Sequence, residues 1–435
     1  MKRISLFIAL ILITYLVKAQ EATVPITREE IIARVKDVNN TIKMSLQDVL
    51  MAKGGFNQTN AVFLPNITAS HTGIATTNPL MAFGSKLNQE ILTQNDFGPA
   101  ILNDPSQIEN YATKIEILQP LINLDGVYQR KAAKAKLNAS KLQSERTQDH
   151  ITLEVEKAYM QLQLAYKTVD VLKTTKKAAL ENKRLAENNF AQGYLLKPDV
   201  LAVDVRITEI ENQLQYAKSN IKNTSNYLSV LMNDTTNQIL KPIDSLEVVP
   251  EVEPFKKLPK NRADIQALQF ATDAYKQMNK ADKMSFLPHL NAFGSYELYD
   301  DKIFRADANG YLFGAQLSWN ILEGTKRFGK AQKSKAEFEK SKFQYREYIA
   351  QSQLELNKAS RMLQDAKNNL RLTELALQQS MESLRIRTNR FKEGLEKTSD
   401  LLMAETQYAQ KQLEHYRTIY RYNFAQVYLQ FLTKE

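Results

Sequence analysis

The residue types that could do chemistry are few and scattered in this sequence. Its 435 residues include no cysteine, so disulfides, thiolate metal sites and a lipid-modified N-terminal cysteine are excluded. The four histidines stand apart, without the i, i+4 spacing or neighbouring carboxylates of a zinc site. No glycine-rich phosphate loop and no nucleophile elbow occurs. We therefore predict no enzyme activity, no metal and no cofactor.

The most suggestive side chains are two aspartates, Asp199 and Asp400, which follow the same turn motif in two places. Each copy reads aromatic-x-x-Gly and ends at Gly193 or Gly394, and Asp-x-Leu begins six residues later. Glycine suits such a turn because it readily adopts positive φ. An aspartate in the first turn of a helix is favoured by the helix dipole, which is the plainer interpretation of both acids. We interpret each copy as the tip of a long helical hairpin.

The segments that must position these tips carry heptads. Residues 127–189 contain neither proline nor glycine, and in the second half apolar residues recur every seventh position, at Ile349, Leu356, Leu363, Leu370, Leu377, Leu384 and Phe391. Sustained heptads predict helices packed as a coiled coil. Equivalent positions in the two halves lie 201 residues apart, as Gly193 and Gly394 do, which indicates an internal duplication.

Shorter segments in each half alternate between apolar and polar residues, as half-buried strands do. Two such strands per half give four per chain, and a sheet of four strands would leave unpaired edges in lipid. We therefore expect a β-barrel shared between copies, with eight strands for two chains or twelve for three. Between the first two strands, residues 76–109 are rich in Gly, Pro, Asn and Asp, and we predict a long exposed loop.

The chain begins with a predicted signal peptide at 1–19, which has a basic start, about 14 apolar residues and the cleavage pattern Val17-Lys-Ala19. Its removal changes the formal charge from +10 to +7, and nucleic acid is not an expected partner of such an exported chain. The first structural repeat is assigned to 20–232. It comprises a helix at 26–53 with a capping box at Thr27-Arg-Glu-Glu30, two strands with a long external loop, and a helical hairpin. A proline-containing equatorial linker follows at 233–261, and the second repeat at 262–435.

Taken in order, these motifs resemble the TolC-like family of outer-membrane efflux proteins over the whole mature chain. The shared features are Phe-Leu-Pro at 63–65 and 286–288, Asp/Glu-Gly after the second strand of each half, the two tips, and Arg262-Ala-Asp-Ile265. The resemblance implies a mainly α fold, in which a long coiled-coil α-helical barrel continues into a transmembrane β-barrel. That β-barrel has four strands per chain and is closed only in a trimer, with twelve strands.

The resemblance also implies a function and a location. It implies a channel in the cell outer membrane, with the helical part in the periplasm, that passively conducts substrates in a tripartite efflux or type I secretion system. The implied partners are two further copies in a homotrimer, outer-membrane lipid, a periplasmic adaptor (membrane fusion protein) and an inner-membrane transporter of the RND or ABC type.

The resemblance assigns a pore constriction to the tips. Asp400 matches the family's first acidic position, Met403 stands where some members have a second aspartate, and Asp199 is the first-half counterpart. Three copies of Asp400 would favour cations. Helical-tip and adaptor-contact positions are Phe190, Gly193, Lys197, Phe391, Gly394 and Lys397, although the two phenylalanines fit packing of the tip better than adaptor contact. A membrane aromatic belt is expected at Tyr111, Tyr296, Tyr299, Tyr311, Phe313 and Trp319.

Two other classes of protein remain as alternatives. A periplasmic adaptor normally has one hairpin flanked by glycine-rich β-domains, which are absent from this sequence. A secreted coiled-coil scaffold would explain the heptads but not the alternating segments.

Overall fold

The computed structural model describes residues 23–236, 238–251 and 257–435; the predicted signal peptide lies outside these ranges. Its helices and strands follow in this order: β1 (Thr23–Ile26), α1 (Arg28–Val38), α2 (Asn40–Gln58), β2 (Asn66–Thr76), α3 (Pro79–Asn88), α4 (Pro99–Asn103), β3 (Ile108–Ile122), α5 (Leu124–Ala191), α6 (Lys197–Leu231), β4 (Ile239–Pro242), α7 (Ala263–Met284), β5 (His289–Asp300), β6 (Ala308–Ser318), α8 (Lys326–Lys392) and α9 (Thr398–Thr433). None of the helices in these ranges is long and apolar enough to cross a membrane.

The chain divides into two compact units. The sheet unit comprises Asp48–Leu142 and Gln266–Glu347 and contains β2, β3, β5 and β6. The hairpin unit comprises Gln143–Ile265, Tyr348–Glu435 and the described part of Met1–Gln47. Helices α2, α5, α7 and α8 contribute residues to both units.

The four predicted strands are confirmed, and they form one antiparallel sheet in the order β2-β3-β5-β6. The register places one residue from each strand in a row, because Ala69 pairs with Ile115, Ile115 with Tyr296, and Tyr296 with Tyr311. β2 and β6 are the edge strands, and each pairs with a single strand among the described residues. Both outer edges therefore offer free backbone groups to another chain.

The two faces of the sheet differ in polarity. One face exposes apolar side chains, at Ile67, Ile115, Ile117, Tyr296, Tyr311, Phe313 and Leu317. On the other face, Lys114 Nζ lies 3.3 Å from Glu297 Oε1 and 3.7 Å from Glu116 Oε2. This alternation suits a barrel whose outer face meets lipid and whose inner face meets water.

The prediction of a long exposed loop at 76–109 is wrong, because β2 continues to Thr76 and the following stretch forms α3, a 3-10 turn at Gln94–Phe97, and α4. Residues that usually mark loops begin these helices. The Asn78 side chain caps α3 by accepting a 3.2 Å hydrogen bond from the N–H of Met81, and each helix starts with a proline in its first turn.

The hairpin unit contains two long hairpins, α5–α6 and α8–α9, so the predicted long helices are confirmed. Duplication at an offset of 201 is visible in their cores, where counterparts are buried alike: Val155 and Leu356, Ala158 and Ala359, Leu162 and Leu363, and Ala165 and Ala366. Small and large side chains alternating along the heptads allow neighbouring helices to interdigitate.

The first predicted helix is divided into two helices in the structure. The capping box is confirmed, because the Glu30 N–H donates to Thr27 and the Thr27 N–H donates to Glu30. The single helix predicted at 26–53 is nevertheless two helices, separated at Asn39. The Asn39 Oδ1 accepts hydrogen bonds from the N–H groups of Thr41 and Ile42, at 2.9 and 3.2 Å, and so begins α2 anew.

The short strands β1 and β4 pair in parallel, with Thr23 opposite Ile239. This pair ties the start of the described chain to the segment that we assigned to the linker at 233–261. The sequence offered no signal for it, since each strand has only four residues.

The Arg-x-Asp motif at 262–264 is buried in a polar network. Arg262 is 2% exposed, and it donates to Asp264 Oδ1 at 2.7 Å and to Ser352 Oγ at 2.8 Å. Asp264 Oδ2 accepts from the Tyr348 hydroxyl at 2.8 Å and lies 3.1 Å from Arg146 Nε. The motif therefore joins α5, α7 and α8, and its paired, hydrogen-bonded charges are the form in which a buried ion pair is tolerated.

Candidate functional site

The two hairpin tips share one backbone design. At the first tip, the N–H of Gly193 donates to Phe190 O at 3.0 Å, and the N–H of Tyr194 donates to Asn189 O at 2.8 Å. Gly193 has φ +79°. This is a Schellman ending, in which a glycine in the left-handed region satisfies the last helical carbonyls.

The second tip repeats this pattern at an offset of 201 residues. Gly394 has φ +72°, its N–H donates to Phe391 O at 3.1 Å, and the N–H of Leu395 donates to Arg390 O at 2.9 Å. The aromatic residue differs in environment, because Phe391 is buried whereas Phe190 is 44% exposed. Of the two phenylalanines, only Phe391 is therefore buried within the chain.

The side chains of the first tip form an apolar cluster. Ala179, Ala186 and Val203 are buried there with Ile207 and Ile210. Asp199 acts on its own helix, because its Oδ2 accepts a 3.1 Å hydrogen bond from the N–H of Leu196. Packing and a cap account for this tip.

The second tip has an ionic cluster, which we define as Arg387, Arg390, Glu396 and Asp400. Glu396 accepts from Arg387 Nη1 at 2.6 Å and from Arg390 Nε at 2.8 Å. The hydrogen bond from Arg390 is the main reason that the pKa of Glu396 is lowered. Asp400 Oδ2 lies 3.9 Å from Arg387 Nη1, and its side chain is 37% exposed. Asp400 therefore shares an arginine with Glu396.

The other predicted tip residues lie at the surface. Lys197 and Lys397 are exposed at the starts of the returning helices, and Met403 is 60% exposed on α9. Gly193 and Gly394 have open space around them, so a side chain there would meet no neighbouring atom of this chain within 4 Å. Both tips thus offer free surface near their turns.

A buried carboxylate that sequence reasoning missed lies on α9, behind the second tip. Glu405 is 4% exposed, and its Oε1 accepts a hydrogen bond from Asn182 on α5. Within the described residues, its Oε2 and the Nε of Arg206 on α6 are both buried without a hydrogen-bond partner. Burial raises the pKa of Glu405 to about 7, against the attraction of Arg206. A glutamate four residues after the buried Leu401, on the apolar side of α9, was the available signal.

The predicted aromatic belt is only partly assembled. The register places Tyr111, Tyr296, Tyr311 and Phe313 on the apolar face of the sheet. Tyr299 falls on the polar face, where its hydroxyl donates to Glu297, because alternate residues of a strand point to opposite faces. We therefore leave Tyr299 out of the proposed belt.

Trp319 follows the last residue of β6, and its indole Nε1 donates to Phe286 O at 2.9 Å. It is 57% exposed. Histidine and carboxylate side chains in the described ranges form no cluster of three or more that could hold a metal ion.

Comparison with known proteins agrees with this architecture. A sequence profile described as outer membrane efflux protein matches residues 31–234 and 256–433. The chain belongs to the outer membrane efflux protein family. It is therefore an outer-membrane protein, and its helical part lies in the periplasm. The resemblance seen in the sequence is confirmed. A search of the curated proteins finds no match.

Solved structures of outer-membrane channels share the fold. The chain is similar to CusC, at 14% identity and a TM-score of 0.80, over 96% of this chain and 95% of that one. It is similar to CmeC of Campylobacter jejuni, at 16% identity and a TM-score of 0.79, over 93% and 85%. VceC of Vibrio cholerae gives 16% identity and a TM-score of 0.77, over 92% and 95%. The predicted fold class, long helical hairpins with four barrel strands per chain, is confirmed.

Proposed function

We propose that the protein is a homotrimeric channel that passively conducts solutes across the outer membrane and is gated at the periplasmic tips. The observation that carries the proposal is the sheet, which has two free edges and one exposed apolar face. Lipid admits such a sheet only when its edges are paired, so several copies must close one barrel. The family resemblance favours three copies and twelve strands.

The gate is assigned to the second tip. Its support is the ionic cluster, in which Arg387 and Arg390 hold Glu396 while Asp400 stays partly exposed. Charges near a surface contribute little net stability, so a tip held by them can exchange between two arrangements at small cost. Three copies of Asp400 would form a cation-favouring ring, and the exposed Met403 adds no second ring of charge.

The partners would meet at the exposed surfaces of the tips. We assign contact with a periplasmic adaptor to Phe190, Lys197 and Lys397, which are exposed beside the turns. The adaptor would be served by an inner-membrane transporter of the RND or ABC type. Adaptor binding opens the channel if it favours the open arrangement of the tip over the closed one.

The test uses the purified mature protein. Chemical cross-linking should yield trimers, and planar lipid bilayers should show cation-preferring pores whose preference falls in Asp400→Asn, with Asp199→Asn as the matched control. Monomers, or bilayers without pores even for an Arg387→Ala/Arg390→Ala variant, would refute the channel. An unchanged cation preference in Asp400→Asn would remove the ring of aspartates but leave the channel.

The two alternative classes of protein, an adaptor and a coiled-coil scaffold, agree less well with these observations than a channel does. A secreted coiled-coil scaffold needs no sheet with an exposed apolar face, and this chain has one. A periplasmic adaptor normally has one hairpin, whereas this chain has two.

A further inference from the structure

Helix α3 covers one end of the polar face of the sheet. Gln89, which ends the helix, donates from Nε2 to Glu109 O at 2.8 Å and to Asn110 Oδ1 at 2.9 Å. Asn110 alternates with the residues of the apolar face and so shares the polar face with Lys114. Ala82 and Ser85 are buried, and their spacing of seven and four residues from Gln89 places them on the same stripe of the helix. The inner face of a closed barrel would therefore carry α3.

This end of the sheet is the outer one. The strand ends beside α3 are those of Thr76 and Ile108, which pair with each other. The opposite ends, at Ile122 and Ser318, lead within a few residues into the long helices α5 and α8. Because the helical part lies in the periplasm, α3 stands at the external mouth.

The side of α3 turned away from the sheet is apolar. Leu80, Gly84 and Leu87 follow one another at intervals of four and three residues, which places them on one stripe of the helix. Leu80 is 81% exposed and Leu87 is 57% exposed. A Cβ at Gly84 would meet no atom of this chain within 4 Å. We call these three residues the α3 stripe; its centre is flat and open to a second helix.

A water-filled lumen is a poor environment for two exposed leucines. The occupant that best fits the α3 stripe is the same stripe on the neighbouring copies. α3 begins three residues after the edge strand β2 ends, and it contacts the other edge strand, β6, so it adjoins both edges that a trimer must pair. The α3 stripe is thus continuous with the interface that closes the barrel.

The dimensions agree with three helices meeting. Twelve strands spaced about 4.8 Å apart and tilted by about 40° form a barrel about 24 Å across. Three helices of about 10 to 11 Å diameter, in mutual contact, fit inside a circle of about that width. With two copies the barrel would be about 16 Å across, too narrow for two such helices, and with four copies it would be about 32 Å across and leave an open gap.

We propose that the three α3 stripes meet on the channel axis and form an apolar constriction at the outer mouth. The proposal rests on the trimeric channel proposed above. It gives the channel a second barrier, different in chemistry from the ionic cluster: a hydrophobic constriction stops ions by expelling water from the pore. Such a barrier lets an apolar or amphiphilic solute pass more readily than a small ion.

Cysteine cross-linking tests the contact, since the natural chain has no cysteine. Gly84→Cys should give disulfide-linked dimers when the full-length mature trimer is oxidised, because bridged Cα atoms must come within about 7 Å. Lys302→Cys, exposed in the turn between β5 and β6, is the matched control at the same end of the sheet and should stay monomeric on a non-reducing gel. Reduction should reverse the Gly84→Cys product.

A second measurement uses conductance. With the tips loosened by Arg387→Ala/Arg390→Ala, adding Leu80→Gln/Leu87→Gln should raise single-channel conductance by at least about twofold, because a wetted constriction conducts ions. Trimers that form pores but show no Gly84→Cys dimers above the Lys302→Cys level would overturn the constriction and leave the channel intact; a stripe facing lipid would give that result. If no trimers form, both proposals fail.

Discussion

The two hairpin tips have the same backbone and different side chains. Both end in a Schellman turn with a left-handed glycine, at Gly193 and Gly394. Three positions separated by the same offset differ in character: Ala186 against Arg387, Asn189 against Arg390, and Leu195 against Glu396. The first tip consequently has an apolar cluster, against which Leu402 of α9 also packs, whereas the second tip adds the ionic cluster to its buried Phe391. The two copies therefore share the backbone of the turn and differ in the side chains that pack beside it.

The difference teaches which tip can move. Burial of apolar side chains is a strong, non-directional term, and it is lost only when the tip separates as a whole. Ion pairs near the surface contribute little and weaken with salt. A chain with one tip of each kind can therefore keep the first tip in place while the second rearranges.

The largest expected effect comes from giving the first tip a residue of the second. Ala186 is 0% exposed, so Ala186→Arg would bury a charge without a partner and lower the free energy of unfolding by about 3 kcal/mol or more. The matched Arg387→Ala, at the equivalent position, should leave thermal stability nearly unchanged. Heat scans by circular dichroism at one fixed rate would compare them. Equal losses in both variants would mean that the tips are held in the same way.

The next effect concerns Glu405, whose counterpart in the first hairpin is Asp204, in an ion pair with Lys183 at 2.6 Å. Burial raises the pKa of Glu405 to about 7, above its ordinary value of 4.5, so the packed state binds a proton more tightly than the separated one. The free energy of unfolding should fall by at most about 3 kcal/mol as the pH rises from about 4.5 to about 7, and it should then level off.

The measurement is the unfolding midpoint at pH 5 and pH 8. Glu405→Gln should abolish the part of the difference between the two midpoints that Glu405 causes. Asp204→Asn, the matched variant in the first hairpin, should keep that part. Arg206 on α6 is the charged group that acts on Glu405. The assignment to Glu405 is lost if Glu405→Gln keeps the full pH dependence of the natural chain.

A smaller and equal effect is expected at the two glycines. Gly193→Ala and Gly394→Ala would each force a side chain into the left-handed region, at a cost of about 1 to 2 kcal/mol. Neither position has an atom of this chain within reach of the new Cβ, so backbone strain is the whole effect within the chain. Unfolding midpoints should shift alike. A clear difference between the two variants would show that the backbone design is not shared.

The smallest effect tests the ionic cluster alone. Glu396→Gln removes the charge that the more exposed Arg387 and Arg390 share, and the open probability in bilayers should rise about two- to fivefold, as expected when a partly exposed ion pair is lost. Raising the salt concentration should produce part of the same rise in the natural chain. Leu195→Ala is the matched change at the first tip, and it should leave the open probability near that of the natural chain. Indistinguishable currents from Glu396→Gln and the natural chain would exclude the ionic cluster as the gate.

Much of the fold could be predicted because its signals are local. A heptad pattern such as that of Leu356 and Leu363 indicates a helix and its buried side within a few turns, and the glycine turns indicate where each helix ends. Alternation likewise indicated all four strands of the sheet. The insert at 76–109 could not be predicted in this way, since Asn78 and Pro79 serve a helix start and a loop equally well.

The site was predicted only in part. Asp400 could be singled out by its place after the turn, but its neighbour Arg387 lies 13 positions away, across the turn. Glu405 and Asn182 are 223 positions apart and belong to different hairpins. Tyr299 was grouped with the other aromatics by residue type, and the strand register then put it on the opposite face.

The sequence by itself determined the long helices, the duplicated tips and the alternation of the strands, because these depend on spacing along the chain. Only the tertiary structure decided which side chains meet: the shared arginine of Glu396 and Asp400, the buried Glu405, and the α3 stripe left open beside the sheet. Such contacts depend on how separate helices and strands lie side by side, and residue spacing along one element does not specify that arrangement.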